Sequence, residues 1–241
     1  MKSTKFYSII ALLMVMTFSI SCKKKGCTDF GAANYNDEAK KDDGSCVFTP
    51  SISIIGATDT TISVASSWVD PYATAANLDG AIVAVSDVSD VNANQVGDYT
   101  VTYTATNNNG TTTVIRTVHV IVNQDTWLGD WGVSDNCGGG TGLALNSVPI
   151  VIAGGNGEQI LITEFLTGLT GTYGTAICQI VGDEIIIAPA SDGAPGGLGD
   201  INYSGFGEMN SNGLSFTITY TWQNTTPITG GSGTCQATYS K

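Results

Sequence analysis

From Tyr99 to Val122 the chain alternates with a period of two. Tyr99, Val101, Tyr103 and Ala105 share one side, and beyond Asn107-Asn108-Asn109-Gly110 so do Val114, Val118, Val120 and Val122. That period places successive side chains on opposite faces of a strand, so each run has one apolar face to bury. Asn and Gly tolerate the backbone of a tight turn, which makes the tetrapeptide between the runs a hairpin connection. Shorter segments at Ser51–Ile55, Thr61–Val64 and Ala81–Val85 carry the same pattern. No segment beyond residue 21 shows helical periodicity, and thirty glycines with abundant Thr, Val and Ile suit pleated sheet and tight turns. The chain is expected to be all-β.

Two β regions follow one another. Short strands at the spacing found over residues 51–123 suggest an immunoglobulin-like sandwich. Residues 126–241 carry eight further candidates, at Trp131–Ser134, Val148–Ala153, Gln159–Phe165, Tyr173–Val181, Glu184–Ala188, Ile201–Met209, Leu214–Trp222 and Cys235–Tyr239, with Gly- and Asn-rich turns between them. Eight antiparallel strands can close into a barrel filled by side chains or holding one small ligand. Asn123-Gln124-Asp125 is too short a linker for free reorientation.

The N-terminus reads as an export signal: Lys2 and Lys5, an apolar run from Tyr7 to Ile20, then Ser21 and Cys22. The run is too short for a membrane-spanning helix. Removing residues 1–21 leaves 7 basic against 21 acidic residues, a formal charge of −14. Only Lys23, Lys24 and Lys25 form a basic run, so nucleic acid is excluded as a partner, since binding it relies on basic surface that neutralises phosphates. The three lysines suit lipid headgroups instead.

Cysteine usage agrees with export. Beyond Cys22 remain Cys27, Cys46, Cys137, Cys178 and Cys235, an odd set in a compartment where disulfides persist. Cys27 and Cys46 bracket a short polar loop and are paired first. First and last strands meet when a barrel closes, which favours Cys137 with Cys235 and leaves Cys178 free; a pairing through Cys178 remains open. Within the first loop Asp29, Asn34, Asn36, Asp37, Asp42 and Asp43 crowd hard oxygen donors of the kind calcium takes, although not at EF-hand spacing. A solvated acidic spacer is the other reading of that loop.

Four resemblances add to this. Ser21-Cys22 after the apolar run resembles a bacterial lipobox, with Ser19 where Leu or Val is usual, and implies lipidation of Cys22 and a permanent membrane anchor. Residues 26–46 resemble the small "GCTD…NY…A…DDGSC" module of secreted and surface proteins of diderm bacteria. Trp68-Val69-Asp70-Pro71, Asn77-Leu78-Asp79-Gly80, Val96 to Thr106 and Arg116-Thr117-Val118 resemble the bacterial immunoglobulin-like repeat of pesticidal crystal proteins and many surface proteins. That family implies an extracellular spacer or adhesion module with no catalytic residues. Leu128-Gly129-Asp130-Trp131 resembles the Gly-x-Trp start of lipocalins, where the tryptophan plugs one end of the barrel.

Catalytic patterns are weak. His119 is the only histidine, and the alternation sets it opposite the valine face, away from any nucleophile. Cys178 has no histidine near it in sequence, and reads as an inert thiol. The aromatic residues Trp127, Trp131, Tyr173, Tyr203, Phe206, Tyr220 and Trp222 are suggestive as a set, since aromatic faces stack on sugars or line barrel cavities, and Trp127, Trp131, Tyr173, Tyr203 and Trp222 are the candidate ligand surface. The expected domains are a signal at 1–21, the lipidated cysteine and acidic module at 22–50, the sandwich at 51–123 and a lipocalin-like barrel at 126–241. The expected function is that of a lipoprotein of the outer membrane or cell surface. It binds a glycan, a small apolar molecule or another envelope protein without catalysis. A purely structural spacer is the alternative, and a carbohydrate-active enzyme drawing on two of Glu158, Glu164, Asp183, Glu184, Asp192, Asp200 and Glu208 is a third, although the sequence does not show two of them converging.

Overall fold

A computed structural model describes residues 23–136, 144–145, 150–163, 165–168, 171–193, 199–227 and 230–241; at 144–145, 166–168 and 171–173 only the backbone is described. The signal segment, Cys22 and Cys137 lie outside these residues. The chain divides into two compact units, and the division cuts across the sandwich. One unit holds the residues through Ser53 with Ala73–Ser86 and Tyr103–Val114; the other holds Ile54–Tyr72, Asp87–Thr102 and Ile115–Lys241.

The sandwich has two sheets. One contains β1 (Ser51–Ile54), β3 (Ala73–Ala76) and β4 (Ile82–Val83) in the order β1-β3-β4. The other contains β2 (Asp59–Ser63), β5 (Val85–Ser89), β6 (Gly97–Asn107) and β7 (Gly110–Ile121) in the order β2-β7-β6-β5, with β2 parallel to β7. Val101, Tyr103, Ala105, Val118 and Val120 are buried, as their alternation requires. The β3 strand went unseen in the sequence because its Ala-Thr-Ala-Ala carries three residues of a type depleted in strands. The turn between β6 and β7 is Asn108-Asn109; the positive φ falls on Gly110, while Asn107 Oδ1 accepts from the Asn109 amide.

Within the second unit Asn123 caps a single helical turn, α1 (Gln124–Trp127): its Oδ1 accepts from the Thr126 amide while Thr126 Oγ1 accepts from the Asn123 amide. The expected linker is therefore an ordered turn. Its Gln124 Nε2 donates to the carbonyls of Asn156 and Gln159.

The remaining strands are β8 (Gly129–Asp130), β9 (Gly132–Asp135), β10 (Ala144–Leu145), β11 (Ile150–Ala153), β12 (Gln159–Ile162), β13 (Leu166–Gly168), β14 (Gly171–Tyr173), β15 (Ala176–Val181), β16 (Glu184–Gly193), β17 (Asp200–Met209), β18 (Ser215–Asn224) and β19 (Gly231–Ser240). β10, β13 and β14 form a small sheet of their own, and the other nine form one sheet in the order β8-β11-β12-β15-β16-β17-β18-β19-β9. Its two edge strands, β8 and β9, are separated in sequence by Trp131 alone. A sheet whose opposite edges are joined by one residue has to curl until those edges meet, and the result is a nearly closed barrel. The expected first strand, Trp131–Ser134, is β9 at one edge, and β8 at the other edge precedes it as a strand not expected from the sequence.

Two devices bend the sheet. Gly205 and Gly207 occupy inward positions of β17, where an added Cβ would lie 2.7 Å from the Thr219 carbonyl oxygen and 2.8 Å from that of Thr217. Only glycine permits so close an approach of β17 and β18. In β16 the register to β17 shifts between Ile187 and Ala190, where Pro189, with no amide proton to offer the ladder, is accommodated. Trp131 is buried at one end of the barrel, with Nε1 donating to the Trp127 carbonyl at 2.9 Å and its ring edge-on to Phe216. Lys241 Nζ lies 4.5 Å above the indole and donates to the Thr126 carbonyl, while burial lowers its pKa.

One charged residue belongs to the buried set. Arg116 sits on the inward side of β7, 1% exposed, in step with Val118 and Val120. Its Nε pairs with Asp70 at 3.3 Å, Nη1 donates to the Ala57 carbonyl at 2.7 Å, and Nη2 donates to the carbonyls of Ile55 at 2.7 Å and Tyr72 at 3.4 Å. Replacing Arg116 by Met removes the buried cation paired with Asp70 and the donors to those carbonyls, and is expected to cost about 3–5 kcal/mol, read as a lower urea midpoint of the full chain. Trp131→Ala is expected to cost about 3–5 kcal/mol by opening the barrel end. A neutral result for either substitution would remove that residue from its assigned role.

Candidate functional site

The acidic module is closed by a Cys27–Cys46 disulfide with an S–S distance of 2.06 Å. Its oxygen donors are used as turn acceptors. Asp29 Oδ1 takes the Gly31 amide, Asn36 Oδ1 the Glu38 amide, Asp42 Oδ1 the Gly44 amide and Asp43 Oδ1 the Ser45 amide. Asn34 spans the loop, accepting from the Val47 amide and donating to the Ser45 carbonyl. The Ser45 hydrogen bonds hold the Asp43 carboxyl below its usual range. These are Asx turns, in which side chain and backbone close short loops locally. Among the described residues no group of three or more His, Cys, Asp or Glu side chains gathers in a form that could hold a metal ion. The module is tied to the β6–β7 turn, where Asn107 Nδ2 and Asn109 Nδ2 both donate to the Phe48 carbonyl.

The aromatic set is packed inward. Trp127, Trp131, Tyr203 and Trp222 belong to one buried cluster with Ile160, Ile162, Phe216, Tyr220 and Tyr239, so they do not present the ligand surface expected of them; the side chain of Tyr173 lies outside the described residues. The reason is the parity of the strands. Phe216, Ile218, Tyr220 and Trp222 all fall on the inward side of β18, and the barrel consumes them as core. Burial pushes the Tyr203 hydroxyl up to about 12, with Asp192 adding to the shift. Tyr220 donates to Asp135 Oδ2 at 2.6 Å, and burial with that bond raises its pKa further. Cys178 is a buried free thiol whose pKa burial raises to about 12, and Cys235 is disulfide-bonded. A thiol held so far from its thiolate is no nucleophile at neutral pH.

What the barrel leaves open is its outside. Over β16–β19 lies a depression of about 550 Å³, bordered by Ser191, Asn202, Ser204, Thr221, Gln223 and Ser232, with Tyr203 and Trp222 beneath. The register explains the grouping: Ser191 faces Asn202, Asn202 faces Gln223, and Gln223 faces Ser232, one row across four strands. The row offers hydroxyls and amides that both donate and accept, and no charge. Asp183 and Glu208 border a second depression of about 400 Å³ near Ser211, Ser215 and Thr217. A third, of about 510 Å³, is bordered in the first unit by Phe48, Asn77, Leu78, Asp79 and Asn107. There Asn107 Nδ2 already donates to Asn77 Oδ1 at 2.8 Å, and Asp79 Oδ1 accepts from the Ala81 amide.

His119 lies on the outward side of β7, as the alternation requires, but it is not idle. Its Nδ1 is 2.6 Å from Asp98 Oδ1 and its Nε2 3.2 Å from Asp59 Oδ1, so the ring bridges the ends of β6 and β2. The hydrogen bond to the Asp98 carboxylate, then that to Asp59, raises its pKa above the ordinary 6.5. Sequence distance concealed this cluster, since Asp59, Asp98 and His119 meet only through the β2–β7–β6 order.

Residues 52–120 match the family described as "Bacterial surface protein, Ig-like domain". Among solved structures, the lipoprotein BT2262 of Bacteroides thetaiotaomicron is 15% identical, with 80% of this chain and 100% of that chain covered and a TM-score of 0.29. The CBM51-2 and INT domains of Clostridium perfringens ZmpB are 16% identical, covering 78% of this chain and 43% of that chain, at a TM-score of 0.24. Scores this low do not establish a shared architecture. No curated protein matches.

The raised His119 pKa gives a pH test. The charged ring stabilises the folded chain fully at pH below the unfolded value, and that contribution is lost as pH rises through the higher folded value. Between about pH 6 and pH 9 the wild-type Tm is therefore expected to fall relative to His119→Gln, the two converging at the alkaline end. Parallel curves would show that the bridging carboxylates do nothing for stability. By its match, the sandwich that carries this cluster is similar to the immunoglobulin-like domain of bacterial surface proteins.

Proposed function

We propose that the chain is a lipoprotein of the outer membrane or cell surface, anchored through Cys22, and that its barrel binds an extracellular partner without catalysis. The observation that carries this reading is the match of residues 52–120 to a surface immunoglobulin-like domain within a chain that also folds a nearly closed barrel. The lipocalin-like part of the reading rests on Trp131 at the barrel end. Interior binding is disfavoured by the buried aromatic set, which moves the contact surface to the barrel's outside. The buried aromatics are also what the spacer alternative asks for; Phe206, 61% exposed on β17, favours binding.

The test is made in the source bacterium. Proteinase K added to intact cells is expected to digest the chain, and Cys22→Ala to shift it from the membrane to the soluble fraction. Cells lacking the chain are expected to adhere less to polysaccharide- or protein-coated surfaces, with adherence restored by the wild-type gene. Unchanged adherence with an accessible chain would favour the spacer, and a chain that stays membrane-bound as Cys22→Ala would sink the anchor.

A further inference from the structure

The outward side of β18 and β19 is a regular hydroxyl surface. Thr217, Thr219 and Thr221 stand directly opposite Thr238, Gln236 and Thr234. Rows of this kind lie about 4.8 Å apart across strands and about 6.8 Å along them. Ser215 opposite Ser240 and Gln223 opposite Ser232 extend the array to both ends, so that no outward position from Ser215 to Gln223 or from Ser232 to Ser240 is charged. In a chain of formal net charge −12 this is the face from which charge has been kept away.

Next to the array stands Phe206. Its neighbours across the strands are Thr219 on one side and Ile186 on the other. Phe206 is 61% exposed and Ile186 beside it is exposed as well, so the two form one apolar spot next to the hydroxyl rows, and contiguous exposed apolar surface marks contact sites. Ser204 Oγ and Thr221 Oγ1 lie 3.1 Å apart beside it, leading into the depression bordered by Asn202 and Gln223. An aromatic platform flanked by neutral donors and acceptors is complementary to one ligand chemistry. The ring takes the apolar C–H face of a pyranose, and the hydroxyls and amides take its equatorial oxygens. An anionic polymer is disfavoured by the acidic chain around the face, and the carboxylates that β17 adds to it, Asp200 and Glu208, stand at the two ends of its outward row.

We infer that the outer face of β17–β19 binds a neutral polysaccharide, with Phe206 as the stacking platform and the threonine rows and the Asn202–Gln223 depression as the polar contacts. This rests on the binding reading above and names its ligand class and its residues.

The test is affinity electrophoresis of the purified full chain in native gels containing xyloglucan, galactomannan, mixed-linkage β-glucan or amylopectin, with polygalacturonate as the charged control. Retardation by at least one neutral polymer and none by polygalacturonate is expected. Phe206→Ala is expected to weaken retardation about tenfold, and Phe206→Tyr to preserve it. Thr221→Glu, also on the exposed side, is expected to weaken it as well, with the urea midpoint unchanged in all three variants. No retardation by any neutral polymer overturns the inference, as does retardation that survives Phe206→Ala. If adherence in the source bacterium still depends on the chain in either case, the partner is a protein and the binding reading stands; if it does not, both fall.

Discussion

One residue sets the geometry of the C-terminal half. Because Trp131 alone separates β8 from β9, and these pair with β11 and β19 at opposite edges of one sheet, closure is imposed by chain connectivity. Once the sheet is curled, strand parity divides every residue between a dry interior and a wet exterior. The interior positions of β15 to β19 are taken by Cys178, Ile185, Ile187, Ile201, Tyr203, Phe216, Ile218, Tyr220, Trp222 and Tyr239, which pack on one another. Polar atoms among them are matched locally, Tyr220 to Asp135 and Trp222 Nε1 to the Cys235 sulfur. The same parity that fills the core with aromatics lines up threonines on the outside.

The sandwich has an equivalent device in Arg116. An arginine fork presents several donors in a fixed plane, and here it serves one carboxylate and three carbonyls at once. Tyr72, one of the acceptors, has a φ of +75°, a conformation that costs a non-glycine residue about 1–3 kcal/mol unless its surroundings fix it. The guanidinium and the Ile55 amide both bond to that residue's carbonyl. Trp68-Val69-Asp70-Pro71 and Arg116-Thr117-Val118, two of the motifs that carry the family resemblance, are thereby halves of one contact, and the carboxylate of Asp70 is spent on stability.

Parity made much of this legible. The β6–β7 hairpin and the longer barrel strands could be read because apolar and polar residues alternate over ten residues or more in them. The same rule contained a clue that was passed over: Arg116 stands between Val114 and Val118, in the inward register, and a charge at such a position requires buried partners. Residue type does not distinguish Trp222, which faces in, from Phe206, which faces out; their positions within β18 and β17 do. The oxygen-bearing side chains of the acidic module have a use that their type alone does not reveal. Asp and Asn at turns are first of all acceptors for the amides two residues on, and that local use precedes any ligand. Contacts set by sheet order, such as Asp59–His119–Asp98, have no sequence signal because their spacing depends on which strands pair.

Rigidity bears on what a threonine face can achieve. Val64, Val118, Val120 and Val122 of the sandwich share one apolar cluster with Trp127, Trp131 and Phe216, and the Val96 amide donates to the Ser211 carbonyl, so the barrel continues the packing of the sandwich residues in its unit. Threonine on a strand has a stiff χ1, and a hydroxyl row held on a fixed sheet loses little further freedom when a ligand settles on it. A lysine or glutamate face would order long side chains at each contact and pay for it in entropy. Individual hydroxyl contacts are weak, since each replaces a bond to water. Repetition offsets that weakness for a repeating polymer, because once one segment is seated the next binds at the high effective concentration set by its tether. The same arithmetic gives a monomeric sugar little, which is why an uncharged, regular, rigid face selects for chains over small molecules.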